Sequence, residues 1–356
     1  MSSHLSRAGE WFLRSGIQQP NGGVARYYRT DLERDHLVST EITGYAASTF
    51  VYLHAVTGDA RYLDRAVAAA RFLTRMAWDS ASGTMPFEID PLAPTWFFDC
   101  GIVVRGLVSV WRATADGEFL DVAAALGQSM VRDFASADGS FHPILSLPDK
   151  RPLERDAGRW SRSPGCYQLK AAMAWWDLLN ATADAQFREP YERVLEYSLG
   201  ACGGFLPGHP ERPKVMDRLH AFLYFLEGLL PSAHEPRCAA AIRNGIDRAA
   251  HHLREIAPEF ERSDVYAQLL RLRLYADWAG ALPLDRAAAQ FEAEKLVEFQ
   301  AAGPDPRIGG GFYFGRKAGA WLPYVNPVSS AFALQALKLW DQCRNGAART
   351  WRHLPI

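Results

Sequence analysis

Thr57-Gly58-Asp59-Ala60-Arg61-Tyr62 ends one apolar helical run and opens the next. The chain repeats it in altered form at Thr114-Ala115-Asp116-Gly117-Glu118-Phe119 and at Thr182-Ala183-Asp184-Ala185-Gln186-Phe187. In each copy an Asp follows a turn, placed to cap the open N–H groups of the second helix. The aromatic three residues further on falls on that helix's buried side. A signal recurring every 57 to 68 residues describes a series of helix pairs.

Working outward, a 3.6-residue apolar period predicts twelve helices, over 3–16, 40–56, 59–77, 99–114, 117–135, 165–181, 185–199, 216–230, 235–256, 263–279, 283–300 and 327–343. Links after even-numbered helices are short and links after odd ones long, except for the short 257–262 after the ninth. The third helix has a solvated face of Asp59, Arg61, Asp64, Arg65, Arg71 and Arg75 beside an apolar one. The second carries no charge after Glu41, and the twelfth, from Pro327 to Trp340, only Lys338. Even helices therefore read as buried and odd ones as outer. Six such hairpins close into an all-α (α/α)6 toroid, expected as one domain over residues 1–356.

The 39 Lys and Arg balance 40 Asp and Glu, for a net charge of -1, which leaves no electrostatic footprint for nucleic acid or an anionic membrane. The first helix carries Arg7, Glu10 and Arg14 and lacks the apolar core of a signal peptide. No run approaches the length of a membrane span. Five cysteines, an odd number without CxxC spacing, suit a reducing compartment. A cytoplasmic protein is expected; nothing in the sequence sets its oligomeric state.

Five long links carry a Gly-aromatic or Gly-apolar strand: Gly22-Gly23-Val24, Gly83 to Phe87, Gly139 to His142, Gly203-Gly204-Phe205 and Gly310 to Phe314. These are expected as short β-hairpins walling a cup at the end of the ring where the even helices begin. In its twelve alternating helices and its Thr57-Gly58-Asp59-x-x-Tyr62 hairpin link, the chain resembles the six-hairpin glycosidase group, which includes unsaturated glucuronyl hydrolases, sugar 2-epimerases and several polysaccharide lyases. More locally, Thr40-Glu41-Ile42-Thr43-Gly44-Tyr45 and Phe98-Asp99-Cys100-Gly101 resemble the E-T-T-G-Y and F-D-T-G segments of uncharacterised toroid proteins tied to bacterial polysaccharide biosynthesis, with Cys100 standing in for Thr. The resemblance implies a carbohydrate substrate and no cofactor. The group spans several chemistries, so the residues must choose among them.

Polar residues that open even helices point into the expected cup: Glu41, Asp99, Tyr167 with Gln168, Asp217 with His220, Asp264 with Tyr266, and Asn326 with Ser329. Glu41 and Asp99 begin consecutive even helices, and packed helices about 8–10 Å apart put two such carboxyls within the separation glycoside chemistry uses. One would stay protonated as acid while the other activates water. They also fit plain first-turn carboxylates stabilised by the helix dipole. His220 is a third candidate, as base or sugar ligand, against a role as a hydrogen-bonded core residue. A 2-epimerase would want a second His on an even helix, where the twelfth offers Ser329 and Ser330; His142, on a loop, is the other placed histidine.

Tyr167, Tyr266, Tyr324 and Asn326 would suit a lyase or uronyl epimerase, with Arg162 or Arg316 neutralising the substrate carboxylate. Asn326-Pro327 also makes an ordinary helix start. Tyr28, Trp96, Trp160, Tyr313 and Trp321 lie in the long links, and their aromatic faces can pack against sugar rings or simply hold the loops down; Glu88, in the same links, is a further substrate-binding candidate. Cys100, Cys166 and Cys202 with His220 match no compact zinc spacing, and no metal is expected there. The reading is a carbohydrate-active enzyme working by carboxylate acid/base chemistry on an oligosaccharide or uronic-acid-containing glycan, hydrolysis first. Lyase or epimerase action, or passive glycan binding, are the alternatives.

Overall fold

The computed structural model of the chain describes residues 3–90, 93–156, 158–257, 259–346 and 356. It contains all twelve expected helices: α1 (Ser3–Arg14), α2 (Thr40–Thr57), α3 (Ala60–Phe72), α4 (Phe97–Thr114), α5 (Gly117–Asp133), α6 (Gln168–Thr182), α7 (Arg188–Ala201), α8 (Arg212–Gly228), α9 (Pro236–Ile256), α10 (Ser263–Trp278), α11 (Arg286–Glu298) and α12 (Pro327–Arg344). They fall into two compact units. One comprises Gln18–Arg26 and Leu37–Cys202, the other Met1–Ile17, Tyr27–His36 and Gly203–Ile356.

The repeated turn is built the same way three times. The Asp59, Asp116 and Asp184 carboxylates accept from the N–H groups of Arg61, Glu118 and Gln186, at 2.9, 3.1 and 3.0 Å. The hydroxyls of Thr57, Thr114 and Thr182 accept from the N–H groups of those same three Asp residues. The residue between, Gly58, Ala115 or Ala183, takes a left-handed backbone with φ of 74, 58 and 57°. Its N–H closes the preceding helix on His54, Trp111 or Leu179. The aromatics that follow, Tyr62, Phe119 and Phe187, are all buried.

The expected difference in polarity between the helix sets also holds. α3 buries one stripe, Tyr62, Ala66, Ala69, Ala70 and Phe72, whereas α10 buries every residue from Ser263 to Ala276. Burying α10 whole means burying its charges. Arg271 pairs with Glu227 and donates to Gln335 at 2.9 Å, while Arg273 meets Glu292 at 2.8 Å. Such pairs hold together because each partner would otherwise be an uncompensated buried charge.

Ten short strands lie in the links. In the first unit β1 (Val24–Ala25) pairs with β4 (Val38–Ser39), and β5 (Thr95–Trp96) with β6 (Ile144–Leu145), all antiparallel. In the second, β2 (Tyr28–Arg29) lies between β3 (Arg34–Asp35) and β10 (Tyr324–Val325), while β8 (Gly315–Lys317) lies between β7 (Phe260–Arg262) and β9 (Ala320–Trp321). Four of them, β4, β5, β7 and β10, run directly into or stop one residue short of an even helix, so strand pairing fixes where α2, α4, α10 and α12 begin.

Three sequence expectations change. α8 begins at Arg212, not near 216, because Pro213 fits a helix first turn. Gly203-Gly204 forms a short 3₁₀ turn with Cys202, and Gly83 to Phe87, Gly139 to His142 and Gly310 to Phe314 make isolated bridges at Thr84, Phe141, Phe312 and Tyr313, instead of strands. The short link before α10 holds β7, which apolar periodicity passed over because Glu261 and Arg262 are charged.

Within the first unit, α2, α4 and α6 pack backbone to backbone. A Cβ on Gly106 would lie 2.6 Å from the Gly44 carbonyl oxygen, and one on Gly101 2.5 Å from that of Ala171. Gly101→Ala should therefore destabilise the fold by about 1–3 kcal/mol. Gly117→Ala, whose Cβ would meet nothing within 4 Å, should be neutral or mildly stabilising; urea unfolding midpoints of the two variants check this.

Candidate active site

The close approach of α2 and α4 brings their first turns together. Ser39 caps α2, its hydroxyl accepting from Ile42, and Glu41 follows two residues later. β5 delivers the chain into α4 with Asp99 in its first turn. Glu41 is half-buried and Asp99 is 6% exposed. Burial pushes the Glu41 carboxyl up to about 7, against the pull of Arg26. Burial, and then the negative charge of Glu41, push Asp99 well above the usual carboxylate range, with Arg26 opposing and Glu88 adding to the rise. Helix N-termini normally favour ionised carboxylates, and here loss of water outweighs that.

Asp99 Oδ2 is buried and has no hydrogen-bond partner among the described residues. The guanidinium that tempers the pair is Arg26, which sits 3.2 Å from Glu88 and 4.7 Å from the Phe87 ring centroid. β1–β4 pairing brings Arg26 beside the start of α2, its N–H donating to the Leu37 carbonyl. Sequence reading missed Arg26; its one signal was its place just after the Gly22-Gly23-Val24 strand.

The second unit holds a different cluster. His220 Nδ1 lies 2.8 Å from Gln268 Oε1 and 3.3 Å from Asp264 Oδ2. Arg262 binds Asp264 through both nitrogens, at 3.0 and 2.6 Å, and reaches Asp217 at 2.8 Å. Burial pushes His220 down to about 4 although Asp264 pulls the other way. Asp264 is held below its ordinary value by the Arg262 charge, which overcomes its own burial. At neutral pH this is a neutral imidazole whose Nδ1–H faces two oxygens, beside a satisfied ion pair. Because α8 starts early, His220 lies two turns into the helix, deeper than the sequence suggested. Arg262, Gln268 and Tyr224, whose ring is 4.4 Å from that of His220, escaped the sequence reading. Their positions on buried helices or a strand marked them only as core.

No protein-family model and no curated protein matches the chain in sequence. Solved structures do match it in shape. Cellobiose 2-epimerase from Spirochaeta thermophila shares 16% identity at a TM-score of 0.73, covering 96% of this chain and 97% of its own. A D-mannose isomerase shares 9% at 0.70, covering 96% and 97%. The GH76A alpha-1,6-mannanase from Salegentibacter shares 12% at 0.58, covering 95% and 99%. The fold is the (α/α)6 toroid. The sequence expectation of that fold class, drawn from the repeated turn and the alternating helices, holds.

The other candidate residues of this toroid fall into distinct surroundings. In the first unit the Tyr167 hydroxyl donates to the Ser163 carbonyl at 3.0 Å, with its ring 5.0 Å from Trp160 and 6.2 Å from Phe98. Burial raises the Tyr167 phenol, so it stays protonated. Trp96 Nε1 and Arg162 Nε are buried without hydrogen-bond partners among the described residues. In the second unit, Tyr266 and Arg316 both bind Glu261, and Arg316 also reaches Glu298 at 2.8 Å. They satisfy that one carboxylate, apart from His220. Asn326 caps α12, accepting from Val328 and Ser329. Tyr313 stacks on Trp321 at 5.2 Å, Tyr28 lies under Arg307 at 4.4 Å, and Tyr324 packs between Tyr27 and Phe314.

Glu41 in the unfolded chain ionises near its ordinary 4.5. Between there and about 7 the folded state holds more of a proton than the unfolded one, so the Glu41 contribution to stability falls as pH rises. Glu41→Gln should lose less stability than the parent between about pH 5 and about pH 8. Parallel urea titrations at the two pH values give the difference, and equal slopes would contradict the buried placement.

Proposed function

We propose that the protein is a carbohydrate-active enzyme that cleaves a glycosidic bond, with Asp99 as general acid and Glu41 as general base. One observation carries the reading: two carboxyls at neighbouring helix starts share a desolvated place, and one has a buried oxygen with no partner. Purely structural carboxylates are normally satisfied; a pair whose environments raise both proton affinities is suited to acid/base work. Asp99 gives its proton to the glycosidic oxygen as the C–O bond breaks. Glu41 takes a proton from the water whose oxygen bonds to the anomeric carbon. Arg26, and Arg162 with its unpartnered Nε, suit an acidic sugar, whose carboxylate takes two parallel hydrogen bonds from a guanidinium. Solved structures of the same fold described as acting on cellobiose, mannose and mannan support a sugar substrate. Their coverage of nearly the whole chain supports one catalytic domain over residues 1–356, and the odd cysteine count supports a cytoplasmic site of action.

Asp99→Asn and Glu41→Gln should each lower turnover by about 10²–10⁴ while glycan binding is kept. The rate should rise as pH climbs towards about 7, where Glu41 ionises, and fall again where Asp99 loses its proton. Mass spectrometry of a panel of neutral and uronic-acid oligosaccharides reads the result, and full activity in both variants would remove the assignment. A passive glycan-binding protein yields no new mass.

Epimerisation is the second reading, favoured by His220, whose Nδ1 is held by Gln268 so that Nε2 faces its surroundings as the basic nitrogen. Incubation in heavy water separates the two. Hydrolysis splits the substrate mass, whereas epimerisation keeps it and exchanges a carbon-bound hydrogen for deuterium. His220→Asn should abolish such exchange, and should leave hydrolysis by the carboxyl pair in place.

A further inference from the structure

The last turns of α9 carry His251-His252-Leu253-Arg254-Glu255, which neither the carboxyl pair nor His220 uses. Glu255 is four residues from His251 and three from His252, so each histidine can meet Glu255 over one helical turn. His251 Nε2 lies 3.4 Å from Glu255 Oε2, and His252 Nδ1 lies 3.5 Å from the same oxygen. One ligand atom from each residue lies within 4.8 Å of the other two. Zinc bonds of about 2.0–2.2 Å at a tetrahedral angle place neighbouring ligand atoms about 3.3–3.6 Å apart. The two contacts to Glu255 already have that spacing. Two imidazoles and a carboxylate select zinc or a similar late transition metal over magnesium or calcium.

We propose that this turn of α9 is a zinc-binding site, with His251, His252 and Glu255 as three ligands and the fourth position left to water. The surroundings permit a cation. Arg248 donates to the carbonyls of Gly203 and Leu206 and lies 5.2 Å from the Phe222 ring centroid, so its hydrogen bonds are made there and not to the three ligands. Arg254 lines the groove beside Phe291 and Glu292. Asp247, one turn before His251, adds negative charge on that side. Cysteine spacing gave no hint of the site, because its signature is an i, i+1, i+4 set on one helix.

Zinc chloride titrated into the full chain by isothermal calorimetry should show one equivalent bound in the micromolar range, with a higher thermal midpoint when zinc is present. His251→Ala and Glu255→Gln change exposed side chains and should unfold like the parent without zinc. Each should weaken binding at least about tenfold and lose the zinc-dependent rise in midpoint. Absence of stoichiometric binding, or binding unchanged in both variants, would overturn the site. Glycan turnover plays no part in either readout, so the result stands apart from the proposed activity.

Discussion

The contact on which the carboxyl pair depends is the meeting of α2 and α4 at Gly44 and Gly106, where there is no room for a side chain. Two helices that touch through their backbones hold their first turns at a fixed, short separation. Whatever those turns carry is brought near its counterpart and loses water. Here they carry Glu41 and Asp99. The altered proton affinities follow from this packing, since desolvation is the leading cause for both groups. A larger residue at Gly44 or Gly106 would act on the chemistry through distance, without touching either carboxyl.

The two ionisable centres make opposite use of burial. Around Asp264 every acidic charge has a guanidinium, and Arg262 ties Asp264 and Asp217 into one network, so the cluster is rigid and electrically quiet. Around Asp99 the cation that acts among the described residues is Arg26, and Glu88 already engages it. A satisfied network keeps its protons where they are, while an unsatisfied pair exchanges them readily. That contrast is why we propose Asp99 and Glu41, ahead of His220, as the reacting groups.

Much of the architecture was readable because it rests on short-range rules. Turn, cap and buried aromatic recur in one six-residue phrase, and the 3.6-residue period found every helix. Glu41 and Asp99 were readable for the same reason, as the single acidic residue that opens each of two largely apolar helices. Arg26, Arg262 and Gln268 were not. Each acts through a partner distant in sequence: Glu88 for Arg26, Asp217 for Arg262, His220 for Gln268. Pairing across strands or between helices leaves no local period. Tyr266 and Arg316 show the converse, since residues suited to binding a sugar carboxylate bind the protein's own Glu261.

The left-handed residue in the repeated turn is glycine once and alanine twice. Alanine accepts that backbone at a cost of about 1–2 kcal/mol, so neighbouring hydrogen bonds, and not the residue's own preference, impose the bend at Ala115 and Ala183. The motif is thus conserved as a shape while its most recognisable letter drifts. Distant kin of this chain are better sought by the Thr and Asp that flank the bend than by glycine.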